Sequence, residues 1–161
     1  MIHSAINEQL IKQILTSAKT IAMVGLSSIK KDEPSNNIRR RPSIIVMKYL
    51  QEFGYRVIPI NPSSAGKIAY GETIVAKLKN VDIPVDIVNV FRPSKETPMI
   101  AEQAVKIGAK VIWLQYGIQN QEAQEIAKSA NITYIANKCI KQEYQRLFLK
   151  ISPVFPALKK E

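Results

Sequence analysis

The chain has 161 residues, a length that supports one domain with its own hydrophobic core. Lys and Arg number 23 against 13 Asp and Glu, which gives a formal net charge of +10. Hydrophobic residues make up 46% of the chain and charged residues 22%, and these proportions exclude an intrinsically disordered protein. No apolar run approaches the roughly 20 residues that a membrane-spanning helix needs, so we expect no membrane span.

The N-terminal segment and the cysteine content indicate the expected compartment. The segment carries Glu8 and polar residues instead of a basic stretch followed by an apolar core, so we expect no secretory signal. A single cysteine, Cys139, cannot form a disulfide within the chain. A reducing cytoplasm is therefore the expected location, and we expect a soluble, basic, cytoplasmic protein.

Helical and extended patterns alternate along the chain. Residues 1–19 are predicted to form a helix that packs on the main domain, because apolar side chains recur three to five positions apart from residue 5 to residue 17. A wholly apolar run ending in glycine follows at residues 20–25 and is typical of a strand buried on both faces. Further strands are predicted at residues 55–60, 85–90, 110–114 and 132–136. Further helices are predicted at residues 43–53, about 95–107, 120–130 and about 141–150.

This alternation predicts an α/β domain over residues 20–150, with a mostly parallel five-stranded sheet covered by helices on both faces. Pro59 removes a ladder donor, so its strand is expected at an edge or to end near the proline. Gly54 and Gly108 follow predicted helices, where a left-handed cap is expected. Pro153 and Pro156 predict an irregular tail over residues 151–161.

Ligands of open parallel sheets bind at the carboxyl ends of the strands, near the point where strand order reverses. The residues that follow the predicted strands offer small side chains, amides and one arginine. They are Gly25–Leu26–Ser27–Ser28, Asn61–Pro62, Phe91–Arg92–Pro93, Gln115–Tyr116–Gly117 and Asn137–Lys138–Cys139. Since none is acidic, the sequence disfavours a divalent metal site and a pair of catalytic carboxylates.

The loop after the first strand is basic. It carries Lys30, Lys31, Arg39, Arg40 and Arg41 against only Asp32 and Glu33. Ser43 is predicted as the N-cap of the next helix, whose free amides and partial positive charge would attract a phosphate group. The alternative is a solvated loop that binds no ligand.

Two other nucleotide-related functions fit less well. An NAD(P) site requires G-x-G-x-x-G and an acidic residue after the second strand, whereas this chain has only Gly25 of the three glycines and ends that strand at Asn61. Nucleic-acid binding is suggested by the charge alone. The sequence shows no aromatic RNA-binding motif, no zinc-ligand spacing and no basic recognition helix, so we rank it lowest.

Five stretches of the sequence resemble the small stand-alone CoA-binding proteins, which are related to the CoA-binding domain of the succinyl-CoA synthetase alpha subunit. They are IAMVGLSS at 21–28, RPSIIVMKYLQEFGYRVIPINP at 41–62, VDIVNVFRPSKETP at 85–98, AKVIWLQYGIQNQEA at 109–123 and NKCI at 137–140. The resemblance implies a Rossmann-like, doubly wound fold that binds coenzyme A or an acyl-CoA across the strand ends.

The resemblance also implies a role for each strand-end segment. Residues 25–27 would line the path of the nucleotide, residues 61–62 would lie beside the adenosine, and residues 91–93 would form the opposite wall. Residues 115 and 117 would face the pantetheine arm, with residues 137 and 139 on the far side. The expected CoA-binding residues are therefore Gly25, Leu26, Ser27, Arg41, Ser43, Asn61, Pro62, Phe91, Arg92, Pro93, Gln115, Gly117, Asn137 and Cys139.

Several of these residues have a plainer interpretation. The first loop is longer than in the family, which leaves open whether Arg39, Arg40 or Arg41 meets a phosphate. Arg92 could instead form a surface ion pair, and Asn61 could serve only as a turn residue. Phe91, like Trp113, is expected in the core or the crevice wall and not as a stacking platform.

The thiol of Cys139 is expected to be inert, because the only histidine, His3, precedes the fold. A mixed disulfide between this thiol and CoA is a further hypothesis. We therefore favour non-catalytic binding of CoA, with no metal and no catalytic residue. The alternative is a subunit of the CoA ligase or acyltransferase type that acts with a partner, and a homo-oligomer is also compatible with the sequence.

Overall fold

The computed structural model describes residues 2–27 and 42–150, with side chains from Glu8 onward. Its helices are α1 (Ile2–Ser17), α2 (Pro42–Glu52), α3 (Thr97–Lys106), α4 (Gln121–Ser129) and α5 (Ile140–Tyr144). Its strands are β1 (Thr20–Val24), β2 (Arg56–Ile60), β3 (Ile68–Ala69), β4 (Glu72–Thr73), β5 (Ile87–Val90), β6 (Val111–Leu114) and β7 (Thr133–Ile135). The tail at residues 151–161 and most of the basic loop lie outside the described residues.

The main sheet has five parallel strands in the order β2-β1-β5-β6-β7. This confirms the predicted α/β, Rossmann-like architecture. The chain leaves β1 towards β2 on one side and returns to β5 on the other, so strand order reverses between β1 and β5. A ligand crevice is expected at this reversal, outside the carboxyl ends of these two strands.

Helices cover both faces of the sheet, and alternate strand residues supply the two cores. Ile21 and Met23 of β1 pack on the face covered by α1, α2 and α5, where Ile11 and Leu15 anchor α1. Ala22, between them, packs on the other face, which α3 and α4 cover. Because side chains on both faces of the sheet are buried, most strand positions are apolar and the strands appear in the sequence as continuous apolar runs.

Two strand-linked predictions are confirmed. Pro59 lies in β2, which is an edge strand of the main sheet. Trp113 is fully buried in β6, where its indole N–H donates to the carbonyl of Lys138 at 2.8 Å. The antiparallel pair β3–β4 was not predicted, because strands of two residues are too short to show a hydrophobic period.

The helix ends agree in part with the sequence. Gly54 and Gly108 adopt positive φ angles of 95° and 77° after α2 and α3, as predicted. The last helix was predicted as one element at residues 141–150, but α5 ends at Tyr144 and a π-helical turn, Gln145–Leu149, continues it. None of the helices that the structure describes is long and apolar enough to cross a membrane.

Asp86, just before β5, holds the amino end of the neighbouring strand β1. Its carboxylate accepts the backbone N–H groups of Lys19 at 2.8 Å and Thr20 at 3.0 Å, and the Lys110 ammonium lies 3.4 Å away. Burial alone would raise the pKa of Asp86, but these three donors outweigh it and hold the pKa below its usual range. The carboxylate therefore stabilises the junction of α1 and β1 in its ionised form.

Candidate functional site

The loops after β1 and β5 come into close contact where the strand order reverses. The backbone N–H of Phe91 donates to the carbonyl oxygen of Val24 at 2.8 Å and so joins the ends of β5 and β1. The N–H of Gly25 donates to the carbonyl oxygen of Ile60, at the end of β2, at 3.1 Å. Gly25 has a φ of +98°, and a Cβ placed there would lie 2.8 Å from Cδ of Arg92 and 3.0 Å from the carbonyl oxygen of Phe91. Only glycine fits this approach without a shift of neighbouring atoms.

A first cavity, of about 480 Å³, opens beside this contact on the face covered by α3. Five of the predicted binding residues lie in its wall: Gly25, Leu26, Asn61, Pro62 and Arg92. Ile60, Leu78 and Ile100 are among the apolar side chains in the rest of the wall. The structure therefore brings together the ends of β1, β2 and β5, as the sequence predicted for a nucleotide site.

Asn61 fixes the backbone of this cavity. Its Nδ2 donates to the carbonyl of Leu26 at 2.6 Å, and its Oδ1 accepts the N–H of Ser63 at 2.8 Å. The second bond caps the short 3₁₀ turn Pro62–Ser64. Asn61 thus acts as the turn residue that the alternative interpretation foresaw, and it also ties the loop after β2 to the loop after β1.

Arg92 stands at the rim of the first cavity in a bidentate ion pair. Its Nε and Nη2 donate to the two carboxylate oxygens of Glu96, both at 2.9 Å. The hydrogen-bonded partner raises the pKa of Arg92 and lowers that of Glu96. Glu96 was not predicted as part of the site, although its spacing of four residues from Arg92 is typical of helical ion pairs.

Ser27 and Ser43 meet across the start of α2. The Ser43 hydroxyl oxygen accepts the N–H of Ser27 at 2.9 Å, and the hydroxyl donates to Oγ of Ser27 at 3.1 Å. The prediction that Ser43 is the N-cap is wrong. The helix begins at Pro42, because proline already holds a helical φ and lacks the N–H that a first turn leaves unpaired. Arg41 lies outside the described residues.

A second cavity, of about 490 Å³, lies on the opposite face, beside α2 and α5. It contains three of the predicted residues, Phe91, Gln115 and Cys139. Its wall is completed by Pro42, Val46, Tyr116, Ile118 and Gln142. Those predicted residues that line a cavity are therefore divided between the first and the second, whereas the sequence predicted a single crevice.

A buried pair of amides lies behind the second cavity. Gln115 donates from Nε2 to Oδ1 of Asn89, and its Oε1 accepts the N–H of Ile140 at 3.4 Å. Asn89 is fully buried in β5, and its Nδ2 has no partner among the described residues. Asn89 is absent from the predicted site. The sequence signal that could have indicated it is a polar residue within the otherwise apolar strand β5.

The remaining predicted residues lie elsewhere. Asn137 accepts the N–H of Gly117 through Oδ1 at 2.7 Å, and neither residue lines the first or the second cavity. Pro93 also lines neither, since it leads into the 3₁₀ turn Ser94–Glu96. Cys139 is half-buried and forms no disulfide. Within the described residues, no cluster of His, Cys, Asp and Glu could hold a metal ion.

Comparisons with known proteins identify the family and the fold. A family model described as a CoA binding domain matches residues 19–145. Protein YneT of Bacillus subtilis (strain 168), described only as uncharacterized, is 43% identical over 131 residues, which are 81% of this chain and 89% of YneT.

Two solved structures share both fold and sequence with the chain. One, cell-free ID.343 from Thermus thermophilus, has 37% identity and a TM-score of 0.78, covering 88% of this chain and 98% of that one. The other, a hypothetical protein from Pyrococcus horikoshii OT3, has 36% identity and a TM-score of 0.75, covering 87% and 91% of the two chains.

Proposed function

The chain belongs to the family of CoA-binding domains, and we propose that it binds coenzyme A or an acyl-CoA at the carboxyl ends of its parallel strands without transforming it. The observation that carries the proposal is the pair of cavities on opposite faces of the sheet, which share the loop after β5 through the neighbouring residues Phe91 and Arg92. This loop borders the reversal of strand order. CoA has the same division, because a phosphate-bearing nucleotide is joined to an uncharged pantetheine arm. In this proposal the ligand crosses the sheet edge at Gly25.

The first cavity suits the nucleotide. Leu26, Pro62 and Ile100 offer apolar surface to the adenosine, and Arg92 offers charged hydrogen bonds to phosphate at the rim. An exposed ion pair such as Arg92–Glu96 contributes only about 0.2–1 kcal/mol. A hydrogen bond to a charged group contributes about 1.5–3 kcal/mol. A phosphate can therefore compete with Glu96 for the guanidinium.

The backbone at residues 25–27 is held in place for such a ligand. Asn61 binds the Leu26 carbonyl, and Ser43 binds the Ser27 N–H. We therefore assign Asn61 and Ser43 as positioning residues, which act through the loop. Ordering this loop before binding lowers the entropic cost of association.

A binding role without catalysis is supported by the chemistry of the two walls. The described charged side chains around the first cavity are Lys77, Arg92 and Glu96, and the last two are paired with each other. The second cavity contributes the Cys139 thiol and the Tyr116 hydroxyl, with no described histidine beside them. The alternative of a ligase or acyltransferase subunit requires a partner to supply the reacting groups.

Calorimetric titration with CoA tests the proposal. Arg92→Ala is expected to weaken binding by about 1–3 kcal/mol, because a charged hydrogen bond is lost. Arg56→Ala is the matched control, since Arg56 forms an exposed ion pair with Glu72 at 3.1 Å but lies at the amino end of β2. It makes the same change in charge and should leave the affinity unchanged.

Three outcomes would count against parts of the proposal. Unchanged affinity in Arg92→Ala would remove that residue from the site. Absence of CoA binding by the unmodified chain would overturn the proposed ligand. Turnover of an acyl-CoA by the isolated chain, or a partner that co-purifies in stoichiometric amounts, would favour the enzyme alternative over simple binding.

A further inference from the structure

The second cavity has an apolar interior. No charged side chain lines it among the described residues, and Val46, Phe91 and Ile118 contribute its hydrocarbon surface. Gln115, its most buried polar member, has both ends of its amide engaged by Asn89 and Ile140. The cavity therefore offers few free hydrogen-bonding groups and suits an uncharged, apolar occupant.

The position of this cavity relative to the first one points to a particular occupant. Phe91 in the second cavity and Arg92 in the first are neighbours in the chain, so the two cavities share the loop after β5 as a common wall. A CoA molecule with its nucleotide in the first cavity would extend its pantetheine arm over Gly25 to the second. The group attached to its sulfur would then enter the apolar interior.

We infer that the second cavity binds the acyl chain of an acyl-CoA and selects short, uncharged, apolar acyl groups. This inference rests on the proposed function and adds the class of acyl group. A carboxylate at the end of the chain would be disfavoured, because no described cation lines the cavity to offset its desolvation. The volume of about 490 Å³ must hold the thioester end of the arm as well, which limits the length of the chain.

Calorimetric titration with CoA, acetyl-CoA, butyryl-CoA, hexanoyl-CoA and succinyl-CoA tests the inference. Each buried methylene is expected to tighten binding about fourfold until the cavity is full. Succinyl-CoA should bind no more tightly than acetyl-CoA, although it has the same carbon count as butyryl-CoA.

A pair of variants locates the effect. Ile118→Phe reduces the space inside the cavity, so the ratio of hexanoyl-CoA to CoA affinity should fall at least about fourfold, the contribution of one buried methylene. Ile126→Phe is the matched control, because Ile126 is also half-buried but lies in α4, in a groove with Val105 and away from both cavities. It should leave the ratio unchanged.

The outcomes separate this inference from the proposed function. If CoA binds and affinity does not increase with chain length in the unmodified chain, the acyl site is refuted while CoA binding stands. Equal affinity for butyryl-CoA and succinyl-CoA would refute the apolar selectivity. If neither CoA nor any acyl-CoA binds, the proposed function fails, and this inference fails with it.

Discussion

Replacing Gly25 with alanine tests the geometry on which the proposed site depends. The substitution adds one methyl group at the contact between the loops after β1 and β5. That methyl group would lie 2.8 Å from Cδ of Arg92 and 3.0 Å from the carbonyl oxygen of Phe91. The arginine side chain can move aside, but the carbonyl belongs to the backbone of the loop after β5 and must shift with that loop.

Two costs combine in this variant. An alanine at a φ of +98° costs about 1–2 kcal/mol of stability, because its Cβ crowds the following carbonyl. Forcing an extra methyl group into an occupied space costs about 1–3 kcal/mol more. Gly54→Ala isolates the first cost, since Gly54 has nearly the same φ, +95°, and nothing lies within 4 Å of the position that its methyl group would take. The difference between the two variants therefore measures the contact.

Urea denaturation of the two variants measures these costs as changes in midpoint at an unchanged slope. We expect Gly25→Ala to lose about 1–3 kcal/mol more than Gly54→Ala. It should also bind CoA more weakly, because the methyl group displaces Arg92. Equal losses of stability in the two variants would show that the loops can separate freely and would refute the argument that glycine is required there.

Two further predictions concern carboxylates. Glu96→Gln should tighten CoA binding by up to about fivefold at low salt, because a phosphate would no longer have to displace the exposed Arg92–Glu96 ion pair, which contributes up to about 1 kcal/mol. Weaker binding in calorimetric titration would contradict this. Asp86→Ala should cost about 1–3 kcal/mol at pH 7. Folding lowers the pKa of Asp86, so the stability lost in Asp86→Ala should be largest above about pH 4 and should decrease as the pH falls through the pKa of the folded protein. Acid-unfolding measurements test this, and a loss of stability that does not change with pH would refute it.

The strands and helices could be predicted because each one produces a pattern within its own short stretch of sequence. Each buried parallel strand is a short apolar run, and the helices between them show a different period, so type and order follow from the sequence. Strand order does not follow in this way. The placement of β1 between β2 and β5 depends on which helices cover which face, and only the folded chain shows it.

The helix ends show a second limit. The start of α2 was predicted at Ser43 on side-chain preference alone, although proline at the preceding position satisfies the first turn. The serine hydroxyl instead bonds to Ser27, which is distant in sequence. A contact of this kind has no local signal, because it forms only when α2 packs beside the loop after β1.

The division of the site into two cavities has a simple cause in strand geometry. Successive residues of an extended segment point to opposite faces of a sheet, so Phe91 and Arg92 cannot line the same side. Position along the chain alone predicts one wall for both residues, whereas the alternating direction of their side chains separates them. A single ligand that contacts both must therefore cross the sheet edge between them. Gly25 lies at that meeting point, where Arg92 and the Phe91 carbonyl fill the space that a Cβ would take. Glycine is therefore required there so that the two loops can meet, and the path proposed for the ligand passes over this contact.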